Sequence, residues 1–466
     1  MKLRNNFTKK IIISLIICFS LTNIYAIKIN TESTGNTFDL NGYIQLYLQN
    51  SPQIVQAFNS YKQAEIDFKS NFIDLFLPQA NFSANTLVTS KENTGFHLDN
   101  PYNTDLSVSW NLFNSGKDYL TYLKQKNSLK IAKINFENKL QDIALNAIEQ
   151  FYDLKLKESL LTVADNDLKA KEEQFKTTTS LYKAGLKDYT SFLQGDNNYK
   201  SAQLSAQQKL NTYERSKAAF NTAIGREPQE EVILEYNLTE IAPLYTTTYG
   251  EDLKTALLNR QDINQEILTL QNEKISKKLN TLRNLPSLQA GFGLSNYSQD
   301  IFGSNSNHTT YSLGLSLNVP IGFLGMDNYY NIEREKLNLI NSYMGFEDSL
   351  RNIKQKVLNK RTELEMQLKS MKISEGNLKI AKERLEITSQ KYDIGKATAL
   401  ELADAQDAYL SAQINDTTYR YEYQLNQYSY KRTLGLPIYD LSTFKINDNF
   451  ATTKIKQIDN QFLKKE

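Results

Sequence analysis

The chain is a tandem duplication, and this feature most limits its possible folds. The segment YKAGLKDYTSFLQGDNNYKSAQL, from Tyr182, aligns with YDIGKATALELADAQDAYLSAQI, from Tyr392, at an offset of 210 residues. Gly185 matches Gly395, and the triplet Ser-Ala-Gln recurs in both copies. Farther upstream, the Leu-Pro pairs that begin at 77 and 285 keep nearly the same offset. An internal repeat of this length indicates two copies of one structural unit.

Long helices are expected in both copies. Proline, which breaks helix interiors, is absent from 102–227 and from 321–436. Each stretch carries an apolar residue at every seventh position: Leu140, Ala147, Leu154, Leu161, Leu168, Phe175 and Tyr182, and then Leu350, Val357, Leu364, Met371, Leu378, Leu385 and Tyr392. A sustained seven-residue period indicates coiled packing. We predict a long helix over 117–182 with a return helix over 187–224, and their counterparts over 327–392 and 397–433.

A second apolar stripe runs along the later long helix. It is displaced by two residues, or about 200° around a helix, and comprises Met366, Ile373, Ile380, Ile387 and Ile394. Two stripes on opposite sides predict a helix with a neighbour on each flank, as in a helical wall or tube. An ordinary helical bundle with wide apolar faces is the alternative.

The segments between the helices alternate with period two. Leu106, Val108, Trp110 and Leu112 are separated by polar residues, and 311–319 follows the same pattern. We predict strand hairpins over about 79–112 and 287–319. Each strand has about ten residues, enough to cross an outer membrane when tilted; a half-buried soluble sheet is the alternative. The hairpin loops contain the only two histidines, His97 and His308, which we interpret as solvated rather than metal-binding.

Four strands are too few for a membrane barrel. Lipid tolerates no unpaired sheet edge, and known barrels begin at eight strands. Several chains must therefore share one barrel, with eight strands from two copies or twelve from three. The small and polar residues on one strand face favour the wider barrel.

The N-terminus has the composition of a secretory signal peptide, predicted over 1–26. Basic residues precede the apolar run 11–21, and the segment ends at Ala26. The only cysteine, Cys18, follows the bulky Ile17, which disfavours a lipid anchor there. Over the whole chain, 54 basic residues balance 52 acidic ones. This balance does not suggest a nucleic-acid partner, which would need a concentrated basic face.

Together, the duplicated unit, the strand pairs and the turns YKAGLKDYTSFL and YDIGKATALELADA resemble the TolC-type outer membrane efflux proteins, over about residues 38–437. The resemblance implies a homotrimer, with a twelve-stranded transmembrane β-barrel in the outer membrane lipid and an α-helical barrel of twelve helices in the periplasm. It divides the chain into a first repeat (27–230), a linker in an equatorial belt (231–250), a second repeat (251–437) and a C-terminal segment (438–466) that joins the belt.

The resemblance also implies a function. Such proteins export drugs, or proteins in type I secretion, after docking to a periplasmic adaptor (membrane fusion) protein and an inner-membrane transporter of the RND, ABC or MFS type. No cofactor is implied. The chain has no Walker-type loop and no HExxH motif, so we do not expect an enzyme. An exported coiled-coil structural protein or adhesin is the alternative, but it leaves the four alternating strands unexplained.

The resemblance further implies that the tunnel closes near Gly185 and Gly395. Glu401 and Asp404 match the positions of the family's constricting acidic ring. Residues three apart share a helix face, so three copies would place six carboxylates around one opening. Such a ring would attract cations, and mutual repulsion would raise some of its pKa values. The first-half equivalents, Ser191 and Gln194, carry no charge.

One family feature is missing at the turns. The positions where typical members place an arginine and an aspartate that link neighbouring coils hold Ala397 and Ser191, although Tyr392 and Thr190 remain. The usual salt bridge therefore cannot form. Our hypothesis is that nearby charged residues supply a substitute: Lys396, or Lys187 with Asp188.

Overall fold

The structure is a computed structural model that describes residues 35–86, 102–236, 247–298, 308–320, 326–394 and 396–440. The predicted signal peptide, His97, Gly395 and the residues after 440 lie outside the described ranges. The first half contains β1 (Thr37–Phe38), α1 (Leu40–Asn50), α2 (Pro52–Phe76), β2 (Gln79–Thr86), β3 (Tyr102–Phe113), α3 (Lys117–Lys183), α4 (Tyr189–Ala223) and β4 (Ile233–Leu234). The second half contains α5 (Tyr249–Asn259), α6 (Gln261–Thr281), β5 (Ser287–Ser298), β6 (His308–Asn318), α7 (Met326–Asp393) and α8 (Ala399–Thr433).

Two very long helices, α3 and α7, dominate the fold. They contain 67 and 68 residues, which at 1.5 Å per residue makes each about 100 Å long. The start and end of α3 are set by glycines in the left-handed region, Gly116 with φ 77° and Gly185 with φ 73°, a conformation that costs other residues energy. No helix in the described ranges carries an apolar stretch long enough to span a bilayer.

The long helices pack side by side as two hairpins. We call α3 with α4 the first hairpin and α7 with α8 the second. α3 also contacts α8 and α6 of the other half, so the helices follow the order α4, α3, α8, α7. α4 and α7 are therefore the outer helices of this array.

Four of the strands form an open antiparallel sheet in the order β2, β3, β5, β6, while β1 and β4 pair in parallel as a separate two-stranded sheet. The two halves meet at β3 and β5, where Val108 lies opposite Phe292 and Leu106 opposite Leu294. β2 and β6 are the sheet edges. Leu313, on β6, is 86% exposed, so a single chain leaves apolar strand faces uncovered. Among the described residues, these four strands do not close into a barrel.

The two halves use different chemistry at equivalent positions of their cores. In the first half, the rings of Tyr43 and Phe220 stack at 3.9 Å, and Phe151 packs beside them. The duplication replaces these three residues by a polar cluster, Asp252, Arg361 and Tyr430. The carboxylate of Asp252, only 2% exposed, accepts a hydrogen bond of 2.6 Å from Tyr430 and forms an ion pair with Arg361.

The second apolar stripe of α7 has no cover in a single chain. Its five residues are 54–66% exposed: Met366, Ile373, Ile380, Ile387 and Ile394. By contrast, Val357, Leu364 and Met371, on the first stripe, are buried. One side of α7 therefore packs within the chain, while the other is open to a neighbour.

Candidate functional site: the tips of the helical hairpins

The first tip is a tight turn between α3 and α4. After Gly185, the amide of Leu186 donates to the carbonyl of Leu181 at 2.9 Å, which satisfies a carbonyl at the end of α3. Asp188 then caps α4, and its Oδ1 accepts from the amide of Ser191 at 3.3 Å. The hydroxyl of Ser191 also donates to Asp188 Oδ1, and this hydrogen bond, followed by the one from the Ser191 amide, lowers the pKa of Asp188. The carboxylate of Asp188 is thus used by its own helix.

Five aromatic rings hold the first tip together: Phe175, Tyr182, Tyr189, Phe192 and Tyr199. Phe175 stacks on Tyr199 with centroids 5.7 Å apart, and Tyr182 stacks on Phe192 at 5.3 Å. This cluster is not among the features predicted above. Its sequence signal is that Phe175 and Tyr182 are seven residues apart on α3 and that α4 carries three further aromatic residues. The duplication places Leu385, Tyr392, Ala399, Leu402 and Tyr409 at these positions in the second hairpin.

The second tip begins α8 with a capping box. Thr398 Oγ1 accepts from the amide of Glu401 at 3.2 Å, and Glu401 Oε2 accepts from the amide of Thr398 at 2.7 Å. This hydrogen bond to the Thr398 amide lowers the pKa of Glu401 in the single chain. Glu401 therefore starts the helix as well as carrying a charge.

Exposed carboxylates continue along α8 from this cap. Glu401 and Asp404 are both exposed, and Asp407, three residues further along, is 69% exposed. Residues at this spacing share one helix face. The sequence analysis named the first two residues and missed Asp407, although the same spacing would have found it.

Lys187 connects the two tips. Its Nζ atom lies 5.1 Å from the centroid of the Tyr392 ring, in the range of a cation–π contact. In the described ranges, the side chain of Lys396 forms no ion pair or ring contact. Thr190 is exposed, while Ser191 and Ala397 are partly exposed. Among Lys187, Asp188 and Lys396, it is the side chain of Lys187 that contacts the other hairpin in the described ranges.

A second link between the hairpins lies below the tips. Lys171 of α3 is only 5% exposed, and its Nζ donates to Gln406 at 2.8 Å and to Asp407 at 3.2 Å. Burial raises the pKa of the neighbouring Asp167, although Lys171 opposes this shift. The sequence analysis missed this link, because one lysine among the many on α3 carries no signal of burial.

The tips therefore combine helix caps, aromatic packing and exposed carboxylates. In the described part of the chain, no group of His, Cys, Asp and Glu side chains could hold a metal ion. The exposed carboxylates of α8 can interact with mobile cations. The two lysine contacts can hold the hairpins of one chain together.

Similar proteins share both the sequence pattern and the fold. The profile of the outer membrane efflux protein family matches residues 43–226 and 253–436, one match in each half. Among solved structures, the chain is similar to the CmeC outer membrane channel of Campylobacter jejuni, with 19% identity, a TM-score of 0.71 and coverage of 90% of this chain and 88% of CmeC. It is also similar to the open state of the MtrE outer membrane channel of Neisseria gonorrhoeae, with 18% identity, a TM-score of 0.72 and coverage of 86% and 89%.

The outer membrane protein VceC of Vibrio cholerae is a third similar structure, with 14% identity, a TM-score of 0.70 and coverage of 86% of this chain and 96% of VceC. No curated protein matches the chain in a sequence search. The structural likenesses establish the fold, while the two profile matches cover most of the sequence and establish the family. The chain therefore belongs to the outer membrane efflux protein family, whose members are outer membrane channels that extend into the periplasm rather than enzymes.

Proposed function

We propose that three copies of this chain form the exit channel of a tripartite efflux pump. Their sheets would join into a twelve-stranded barrel. The four helices of the two hairpins in each chain would together form a periplasmic tunnel of twelve helices. The observation that carries this proposal is the open sheet, in which β2 and β6 each pair with one strand and have no described strand on their outer edge. The sheet is followed by helices about 100 Å long. In lipid such edges must be paired, and further copies of the same sheet can pair them.

The uncovered apolar stripe of α7 supports assembly as well. A face of five apolar residues at heptad spacing, each more than half exposed, is typical of a helix that packs against another chain. The proposed partners beyond the homotrimer are a periplasmic adaptor protein and an inner-membrane transporter, of the RND, ABC or MFS type. The cargo would be drugs or, in type I secretion, proteins, and the inner-membrane transporter would select it.

The assembly and the transport function are tested separately. We expect the purified protein to run as a trimer that dissociates on heating and to conduct ions in planar bilayers. A strain that lacks the chain should become sensitive to drugs and detergents, or should lose specific proteins from its medium. A monomeric protein without conductance would contradict the channel, and unchanged drug tolerance together with an unchanged secretome would contradict the export role.

We propose further that Glu401 and Asp404 line the narrowest part of the periplasmic opening. Three copies would bring six carboxylates together, and a ring of acidic side chains favours cations. Their exposure and common helix face support this role. Mutual repulsion in the ring would raise some pKa values, against the lowering that the cap causes at Glu401 in the single chain.

The two roles of Glu401 require a careful choice of variants. Glutamine is accepted in a capping box, so Glu401→Gln with Asp404→Asn removes the charge and keeps the helix start. We expect this double variant to lose its cation preference and its block by multivalent cations. Asp196→Asn, a charge removal on α4, serves as the control and should change neither property. Parental cation preference in the double variant would show that the ring is elsewhere.

We also propose that the contact between Lys187 and Tyr392 replaces the missing salt bridge at the tip. Ala397 and Ser191 cannot form that bridge, and Asp188 is engaged in capping its own helix. Among the charged residues at the two turns, Lys187 is the one whose side chain contacts the other hairpin in the described ranges. The contact would hold the closed tip, and its removal should favour the open state.

A further inference from the structure

The two halves of the chain are joined by polar contacts close to the sheet. Lys124 Nζ on α3 donates to Ser276 Oγ on α6 at 2.8 Å, and the amide of Asn127 donates to Asn272 at 3.0 Å. Asn127, Asn272 and Ser276 are at most 9% exposed. These contacts therefore form a buried seam between α3 of the first half and α6 of the second.

The duplication assigns an equivalent to each residue of this seam. α3 and α7 align at an offset of 210, which pairs Phe136-Glu137 with Phe346-Glu347. α2 and α6 align at an offset of 209, which pairs Ile66 with Ile275 and Lys69 with Lys278. The equivalent of Lys124 is then Arg334 on α7, and the equivalent of Ser276 is Asp67 on α2.

These equivalents are uncovered in the single chain. Arg334 and Asp67 are both exposed, and neither forms an ion pair in the described ranges; the guanidinium of Arg334 donates to Asn331 of its own helix at 2.7 Å. Leu337, the equivalent of the buried Asn127, is 60% exposed, and Ile66 is 63% exposed. Within the chain, the seam forms once, between α3 and α6. The equivalent surfaces on α7 and α2 remain uncovered, on opposite sides of the chain.

We propose that Arg334 of one copy pairs with Asp67 of the next copy. α7 would pack on α2 of that copy as α3 packs on α6 within the chain. The opposite charges fit each other, and both lie where the duplication places the contact. The proposal rests on the ring assembly proposed above and specifies its contact surface. Such a contact joins different faces of identical chains, head to tail, as a closed ring requires.

The strand register between copies follows by the same reasoning. Within the chain, Val108 of β3 lies opposite Phe292 of β5. The motif Ser-x-Asn at 109 and 316 makes Leu315 the equivalent of Val108, while Ala-x-Phe at 80 and 290 makes Phe82 the equivalent of Phe292. Leu315 of one copy would therefore lie opposite Phe82 of the next. These two edge residues are 71% and 68% exposed in the single chain.

Charge reversal tests the helix contact. We expect Arg334→Glu or Asp67→Arg alone to lower the temperature at which the trimer dissociates, because each places like charges together. The double variant should recover the parental temperature, since it restores the pair in reverse. Failure of the double variant to recover, with both single variants destabilised, would overturn the pairing.

Cysteine cross-linking tests the strand register in the exported protein, because the only native cysteine, Cys18, lies in the predicted signal peptide. We expect Leu315→Cys with Phe82→Cys to give cross-linked multimers on oxidation. Tyr311→Cys with Phe82→Cys is the control, about 13 Å out of register, and should give none. A trimer that cross-links only through the control pair would overturn the register and leave the channel proposal intact. A protein that forms no multimer would overturn both.

Discussion

The ammonium nitrogen of Lys187 lies 5.1 Å from the centroid of the Tyr392 ring, so the turn of the first hairpin contacts the end of α7 in the second. A contact of this kind at a partly exposed site contributes about 0.5–1 kcal/mol. The contact needs a cation over the face of the ring, and it lies at the tip where we propose that it replaces a salt bridge.

Lys187→Met should weaken this link while it keeps a side chain of similar length. We expect a higher single-channel conductance in planar bilayers, because the hairpins separate more easily. Lys187→Arg retains a cation and should behave like the parent. Lys183→Met, a charge removal on the same turn, is the matched control. Equal conductance in Lys187→Met and the parent would contradict the proposed role.

The Lys171 contact predicts a loss of stability rather than of selectivity. Lys171→Met removes the hydrogen bonds to Gln406 and Asp407. Hydrogen bonds to charged groups contribute about 1.5–3 kcal/mol, and the exposure of Asp407 reduces the value here, so we expect a loss of about 1 kcal/mol. Urea unfolding measures it, with Lys169→Met as the control on the same helix. Equal losses in the two variants would argue against the contact.

Asp167 predicts a dependence of stability on pH. Burial raises the pKa of Asp167 above its ordinary value of 3.8, so the folded chain binds this proton more tightly than the unfolded chain. The stabilisation that the protonated Asp167 gives the folded chain is fully present below about pH 3.8, and it is lost as the pH rises through the pKa of Asp167 in the folded chain. Asp167→Asn should raise Tm at neutral pH and flatten the dependence on pH. An unchanged pH profile would be inconsistent with this cause, and Asp165→Asn provides the comparison.

Loss of the buried Asp252 should lower the free energy of unfolding more than loss of Glu365, an exposed partner of the same arginine, Arg361. Asp252→Ala leaves Arg361 and Tyr430 without their buried acceptor, and the loss of one partner of a buried ion pair costs about 3–5 kcal/mol. Glu365 also pairs with Arg361 but is 43% exposed, so Glu365→Ala should cost less than about 1 kcal/mol. Similar unfolding free energies for the two variants would refute this ranking.

Two glycines with the same backbone conformation allow the cost of backbone strain to be distinguished from the cost of steric crowding. Gly185 and Gly435 both have φ 73°, but a Cβ at Gly185 meets open space, whereas at Gly435 it would lie 2.6 Å from the amide nitrogen of Arg260. Gly185→Ala should cost about 1–2 kcal/mol from the left-handed conformation alone. Gly435→Ala should cost clearly more, since the backbone of Arg260 must move. Chemical unfolding of both variants would show equal losses if crowding is unimportant.

Much of the architecture follows from local patterns. Proline-free stretches and heptads predicted the long helices, and the structure has them over Lys117–Lys183 and Met326–Asp393. Period-two alternation predicted the strands, because the side chains of a strand alternate between its two faces. A short-range rule also applies at Thr398 and Glu401, because the three-residue spacing of a capping box is visible in the sequence.

Long-range contacts had no such pattern. Lys171 contacts Gln406 and Asp407, which are 235 and 236 residues away in the chain, and Lys187 contacts Tyr392 across the boundary between the halves. The local sequence does not distinguish a lysine on an exposed helix face from a lysine buried between two helices. Only the packing of α3 on α8 decides which of them is buried.

The sequence by itself determined the duplication, the long helices, the strands and the turns, because each depends on residues near one another in the chain. The tertiary structure alone decided that Asp252, Arg361 and Tyr430 form an ionic core where the first half stacks aromatic rings. It also decided which lysines join the hairpins. These features depend on which helix faces meet, and that is set by the packing of the whole chain rather than by any local periodicity.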